Sequence, residues 1–171
     1  MKDDLRFVDC DMHVMEPADL FQRYLDPKFQ DRVTFQVGAD GRPTRGTIVI
    51  DGQTNLSDLT LEQHRKRFRE VKATEIGNTG PLSGSRIAAG GHLDFAIERH
   101  YDAEAQVMGM ELEGIDIAVL FPTNGLYYIA RDNMDPRLSL AICQAYNNWI
   151  HEFCQYSPDQ LKFAAMLPLH D

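Results

Sequence analysis

Asp9, Cys10, Asp11, Met12 and His13 are the residues whose types and spacing suit chemistry best. In an extended strand, alternation sends Asp9, Asp11 and His13 to one face and Val8, Cys10, Met12 and Val14 to the other. One face is then apolar, and the other carries carboxylate oxygen and imidazole nitrogen two residues apart. Asp11 and His13 on a rigid strand can converge on one divalent cation such as zinc or manganese. An isolated Asp-x-His is also an ordinary polar strand end. Two features favour the ligand pair: three ionisable groups share a face opposite an apolar one, and Glu16-Pro17 ends the strand with a further carboxylate.

The elements that must position this pair are legible along the chain. Arg6 to Val14 reads as a first strand, and Asp19 to Leu25 as a short helix before Asp26-Pro27. Val33–Val37 and Gly46–Ile50 are rich in β-branched residues and flank a Gly/Pro-rich turn, which predicts an antiparallel hairpin. Thr60 to Val71 has helical spacing with a basic outer face, and Gly77 to Gly91 reads as a loop, either a lid or a plain connector. Asp102 is positioned to cap a helix over 103–113 that Gly114 stops, after which Ile115 to Phe121 reads as a buried parallel strand. Asp135-Pro136 opens another helix, with Leu138, Ile142, Ala145, Trp149 and Phe153 facing the sheet. Ser157-Pro158-Asp159 breaks it, and Leu161 to Leu167 gives a third strand. Strand, excursion, helix, strand, helix, strand predicts a parallel α/β arrangement.

The 171 residues carry 26 acidic and 17 basic side chains, a formal charge of -9. That balance disfavours nucleic acid and anionic membranes as partners and leaves a small-molecule substrate. Cys10, Cys143 and Cys154 form no Cys-x-x-Cys pair, and the amino terminus has no apolar signal core, so a cytoplasmic setting is expected. No phosphate loop, nucleophile elbow or zinc-finger spacing occurs.

The run from Phe7 to Phe21, FVDCDMHVMEPADLF, resembles the opening of the amidohydrolase-related family, which includes the aminocarboxymuconate semialdehyde and resorcylate decarboxylases. Three later stretches resemble it in order: Met110 to Thr123, Ala145 to Trp149, and Pro158 to Leu169. The resemblance implies an α/β fold, the amino-terminal part of a (β/α)8 TIM barrel. About three parallel barrel strands are expected, with a β-hairpin insertion after strand one and an inserted hairpin, helix and loop region at about residues 33–91. Barrels of this kind typically need about 250 residues or more, so residues 1–171 are expected to form a partial barrel domain that needs further strands or a partner; a homo-oligomer is the expected assembly.

The resemblance also implies that Asp11 and His13 supply two ligands to a catalytic divalent metal, although relatives more often place His-x-His or Glu-x-His there. Asp9 is then an orienting group behind the ligands or a buried polar residue. Glu16, Thr123, Asn124 and His170 are pocket candidates by location, His170 lying just past strand three where relatives commonly have Gln. His64, His92 and His151 are expected to be surface, loop or packing residues. The catalytic acid or base is expected beyond Asp171. The implied activity is metal-dependent hydrolysis of a small carboxylated or cyclic substrate. Nonoxidative decarboxylation of an aromatic acid, or a noncatalytic binding or assembly module, are the alternatives, and the fragment alone is expected to bind metal poorly and to be inactive.

Overall fold

The computed structural model describes residues 5–37, 43–54, 95–96 and 99–170. The expected helix at 60–71, the loop at 77–91, His64 and His92 lie outside them. Three strands form a parallel sheet in the order β1 (Val8–Val14), β5 (Ile117–Pro122), β6 (Leu161–Phe163), as expected for strands joined by helical crossovers. The inserted hairpin is also present: β2 (Val33–Val37) pairs antiparallel with β3 (Pro43–Ile50), which turns through Asp51-Gly52 into the two-residue β4 (Gln53–Thr54). A helical turn α1 (Leu20–Tyr24) and a 3-10 turn (Pro27–Arg32) link β1 to this second sheet.

Helix boundaries follow local chemistry. In α2 (Ala103–Glu113) the Asp102 carboxylate accepts from the Ala105 amide at 3.0 Å. At its far end Gly114 takes φ +80°, and the Ile115 amide donates back to the Met110 carbonyl at 2.8 Å. That left-handed closure suits glycine. In α3 (Pro136–Cys154) Asp135 caps the Arg137 amide at 2.9 Å, and Pro136 occupies the first turn, where no amide donor is needed. Leu138, Ile142, Ala145 and Trp149 are buried as the periodicity predicts, whereas Phe153 is only partly so.

Two strands are shorter than the sequence suggests. β5 begins at Ile117 rather than Ile115, and β6 ends at Phe163 rather than Leu167, whose side chain is 67% exposed. Nor is β5 buried on both faces. Ala118, Leu120 and Pro122 are covered, while Ile117, Val119 and Phe121 are half-buried. Val14, Ala118, Leu120 and Leu161 join Val107 and Met110 of α2 and Leu138, Ile142, Tyr146 and Ile150 of α3 in one apolar cluster. The same cluster takes in Leu20, Phe21, Leu25, Phe29, Val33, Ile48 and Ile50, so the hairpin is anchored in the common core.

Val8 and Cys10 are exposed, contrary to the alternation that places them with Met12 and Val14 in the core. The reason is a β-bulge. Asp9 pairs with Ala118 and Met12 with Leu120, so Cys10 and Asp11 together stand opposite Val119. One extra residue reverses the phase of everything that follows it. Val8 therefore shares the half-buried face of Ile117, while Met12 and Val14 share the covered face of Leu120.

Arg32 ties the hairpin to α3. Its guanidinium donates from Nε and Nη2 to both Asp51 oxygens at 2.7 and 2.8 Å, and from Nη1 to Asp135 Oδ2 at 2.7 Å. Hydrogen bonding from Arg32 is the chief cause holding both carboxyls below their ordinary value. Folded-state values below the unfolded ones mean stabilisation that is present above about pH 4 and lost as pH falls through the folded values. The melting-temperature gap between the native chain and Arg32→Met is accordingly expected to be open near neutral pH and to close below about pH 4. A gap that persists unchanged in acid would show that Arg32 acts through packing alone.

Candidate metal and substrate site

The bulge also sorts the candidate ligands. His13 pairs with Phe121, on the half-buried face of the sheet, and the rings of the two residues lie 6.5 Å apart. Asp11 takes the register position of Val119, which belongs to the same face, and both Asp11 and His13 are exposed. Asp9 is in phase with Met12 and Ala118 instead, so the expectation that Asp9, Asp11 and His13 share one face holds for the last two only. The Asp9 side chain is turned to local use, since its Oδ1 accepts from the Asp11 amide at 2.9 Å and so closes the bulge.

His13 is held in one orientation. Its Nδ1 lies 2.8 Å from the Pro122 carbonyl oxygen, which can only accept, so Nδ1 carries a proton and, in the neutral ring, Nε2 keeps its lone pair. That is the tautomer a metal-ligating histidine needs, with the second nitrogen tied to an acceptor. Among the described residues no group of three or more His, Cys, Asp or Glu gathers as a metal site. The donor set is thus one nitrogen and one carboxylate from a single strand.

Glu16 is 2% exposed and its carboxylate is fully engaged. Oε1 accepts from the Thr123 and Gly125 amides at 2.9 and 2.8 Å; Oε2 accepts from the Asn124 amide and side chain at 3.0 and 3.3 Å. The loop after β5 is therefore wrapped around one acid from β1. Thr123 adds its hydroxyl to the Val14 carbonyl at 2.8 Å. Gly125 is required by proximity, because a Cβ there would lie 2.6 Å from Pro122 Cβ and 3.0 Å from Glu16 Oε1. Burial first, then the nearby Glu16 carboxylate, pushes the Tyr128 and Tyr146 phenols above their ordinary value. Glu16, Thr123 and Asn124 thus come together, with each other rather than around an open space.

His170 joins two other segments. Its Nε2 donates to the Arg131 carbonyl at 2.8 Å, which leaves Nδ1 to accept from the Ser139 hydroxyl at 3.1 Å. Both ring nitrogens are occupied in packing the segment after β6 against the start of α3. His151 is an exposed helix residue with its ring edge-on to Phe163. Cys143 and Cys154 are buried, and burial pushes both thiols up to about 11. A cavity of about 280 Å³ lies among Met15 and Pro17 just after β1, α1, the segment before α2 and the end of α3, walled by Tyr24, Tyr101, Trp149 and Phe153. No residue motif marks it. The Glu16 clamp was likewise missed from sequence; the available signal was Glu16-Pro17 together with the Pro122-Thr123-Asn124-Gly125 turn directly after an apolar strand.

The fold is similar to that of a solved amidohydrolase from Mycobacterium avium subsp. paratuberculosis K-10, with a TM-score of 0.61 and 26% sequence identity. The match covers 98% of this chain and 44% of that one, so the chain spans less than half the length of the enzyme it resembles. No protein-family model matches the sequence, and no curated protein matches it. The chain thus has a mixed α/β, amidohydrolase-like fold whose parallel three-stranded sheet is compatible with part of a TIM barrel. No helix among the described residues is long and apolar enough to cross a membrane.

Proposed function

We propose that this chain provides the first three strands of a metal-dependent amidohydrolase-like barrel, and that Asp11 and His13 are its contribution to a divalent metal site for hydrolysis of a small carboxylated or cyclic substrate. The observation that carries the reading is His13 itself, on a parallel strand of an amidohydrolase-like fold, with Nδ1 bound to the Pro122 carbonyl and Nε2 left to the face that bears Asp11. Asp11 supplies a hard oxygen donor and His13 a borderline nitrogen donor, a mixed set that accepts zinc or manganese. Asp11 and His13 would hold the ion, and the chemistry it would supply there is a lowered pKa of bound water and polarisation of a substrate carbonyl. What the chain's own residues do is more limited. His13 presents one lone pair in one orientation, Asp11 brings negative charge beside it, and the half-buried Val119 and Phe121 make an apolar wall for a ring.

Two donors fall short of the three protein ligands usual for catalytic zinc. Zinc titration of the 1–171 chain is therefore expected to be weak and to approach saturation only far above equimolar metal, with His13 Nε2 as the nitrogen-15 resonance that moves. Asp11→Ala and His13→Ala should each abolish that response. Zinc that perturbs His151 or His170 while leaving His13 unmoved would remove the assignment. Assay of the gene product that carries this chain for ring-opening hydrolysis and, separately, for carbon dioxide release from aromatic acids distinguishes hydrolase from decarboxylase.

A further inference from the structure

The bonds at Pro122 and Thr123 belong to one peptide group. The carbonyl of Pro122 accepts from His13 Nδ1 at 2.8 Å, and the amide N–H across the same peptide bond, that of Thr123, donates to Glu16 Oε1 at 2.9 Å. We infer that Glu16 is a positioning residue for His13, acting through this single peptide plane as a carboxylate–amide–imidazole relay that holds His13 in its Nδ1–H tautomer.

The physical argument is the coupling of donor and acceptor ends within an amide. Donation of the Thr123 N–H to a carboxylate shifts electron density along the conjugated N–C–O unit toward oxygen and makes the Pro122 carbonyl a stronger acceptor. Histidine ligands are commonly held by a carboxylate or a backbone carbonyl on their second nitrogen. Here the two are in series, and the carboxylate is 2% exposed, where its field is least screened by water. The plane cannot easily rotate away. Val14 pairs with Pro122 in the sheet, the Thr123 hydroxyl is bonded to the Val14 carbonyl, and the next two amides, Asn124 and Gly125, are held by the same carboxylate. Glu16, three residues after His13, thus reaches it by way of the neighbouring strand.

The proposal rests on the metal-site reading only for the use made of Nε2; the tautomer itself is testable in the metal-free chain. Nitrogen-15 spectra of His13 in 1–171, recorded at a pH of about 9, above the ordinary imidazole range, should show Nδ1–H as the major tautomer, the reverse of free histidine in water. In Glu16→Gln the side-chain oxygen still accepts from Thr123, but as a neutral acceptor, and the ratio of Nδ1–H to Nε2–H is expected to fall about threefold. A native chain with Nε2–H predominant would overturn the relay. So would a folded Glu16→Gln chain with an unchanged ratio, which would leave Glu16 as a loop clamp and nothing more. If Glu16→Gln does not fold, Glu16→Asp is judged by the same ratio: its carboxylate is one methylene shorter and stands farther from the Thr123 amide, so the ratio is expected to fall, and an unchanged ratio would overturn the relay. Zinc that ignores His13 while the tautomer behaves as stated would end the metal reading and leave the relay standing; the opposite pair of results would do the reverse.

Discussion

Glu16→Ala is expected to destabilise the chain by on the order of 4 kcal/mol, because it strands the amides of Thr123, Asn124 and Gly125, each worth about 1–3 kcal/mol when buried without a partner. The carboxylate is 2% exposed and accepts from all three, the Gly125 bond being buried and those of Thr123 and Asn124 part-buried. Partial entry of water into the vacated space is what keeps the figure below the sum of the three. For a chain of this length the loss corresponds to a fall in melting temperature of about 8–16 °C. Urea denaturation and thermal melting both read it. A loss below about 1 kcal/mol would show that water reaches these amides freely and that the clamp is dispensable. Hydrogen exchange should report the same event locally, with protection of Thr123, Asn124 and Gly125 lost before that of α2 and α3.

Trp149→Ala is expected to cost about 3–5 kcal/mol, the range for deleting a large buried aromatic side chain. Trp149 is 4% exposed and lies edge-on to Tyr146 at 5.5 Å between ring centroids, with Phe153 at 5.6 Å on its other side. Its removal opens a void between α3 and the first turn of helix, since Trp149 also walls the cavity shared with Tyr24. Trp149→Phe keeps one ring in the stack and should lose roughly half as much. Equal losses for Phe and Ala would show that the indole-sized volume matters and the ring contacts do not. Tyr24 is the companion probe: burial and its hydrogen bond to Glu152 push its phenol up to about 12, and loosening of the α3 end in Trp149→Ala is expected to bring it back toward 10.

Local chemistry was enough for most of the architecture. Asp102 and Gly114 delimit α2, Asp135-Pro136 opens α3, and the β-branched runs around a Gly/Pro turn become β2 and β3, because a cap, a left-handed glycine or a proline acts on its immediate neighbours whatever surrounds it. The parallel order β1, β5, β6 was legible for the same reason, since strands separated by helices have few ways to pair. The site was legible in part: Asp11 and His13 could be singled out as oxygen and nitrogen donors two residues apart. Alternation gave Asp11 and His13 a common face but misplaced Val8, Asp9 and Cys10, because the bulge at Cys10-Asp11 is a property of how β1 meets β5, and it moves Asp9 out of phase with His13. Equally hidden were the partners of Glu16, which stand 107 to 109 residues away in sequence. Residue types show which groups can donate, accept or ligate; which amide each one meets, and therefore that Glu16 holds a loop while His13 keeps a lone pair free, is decided only when two strands far apart in the chain are laid side by side.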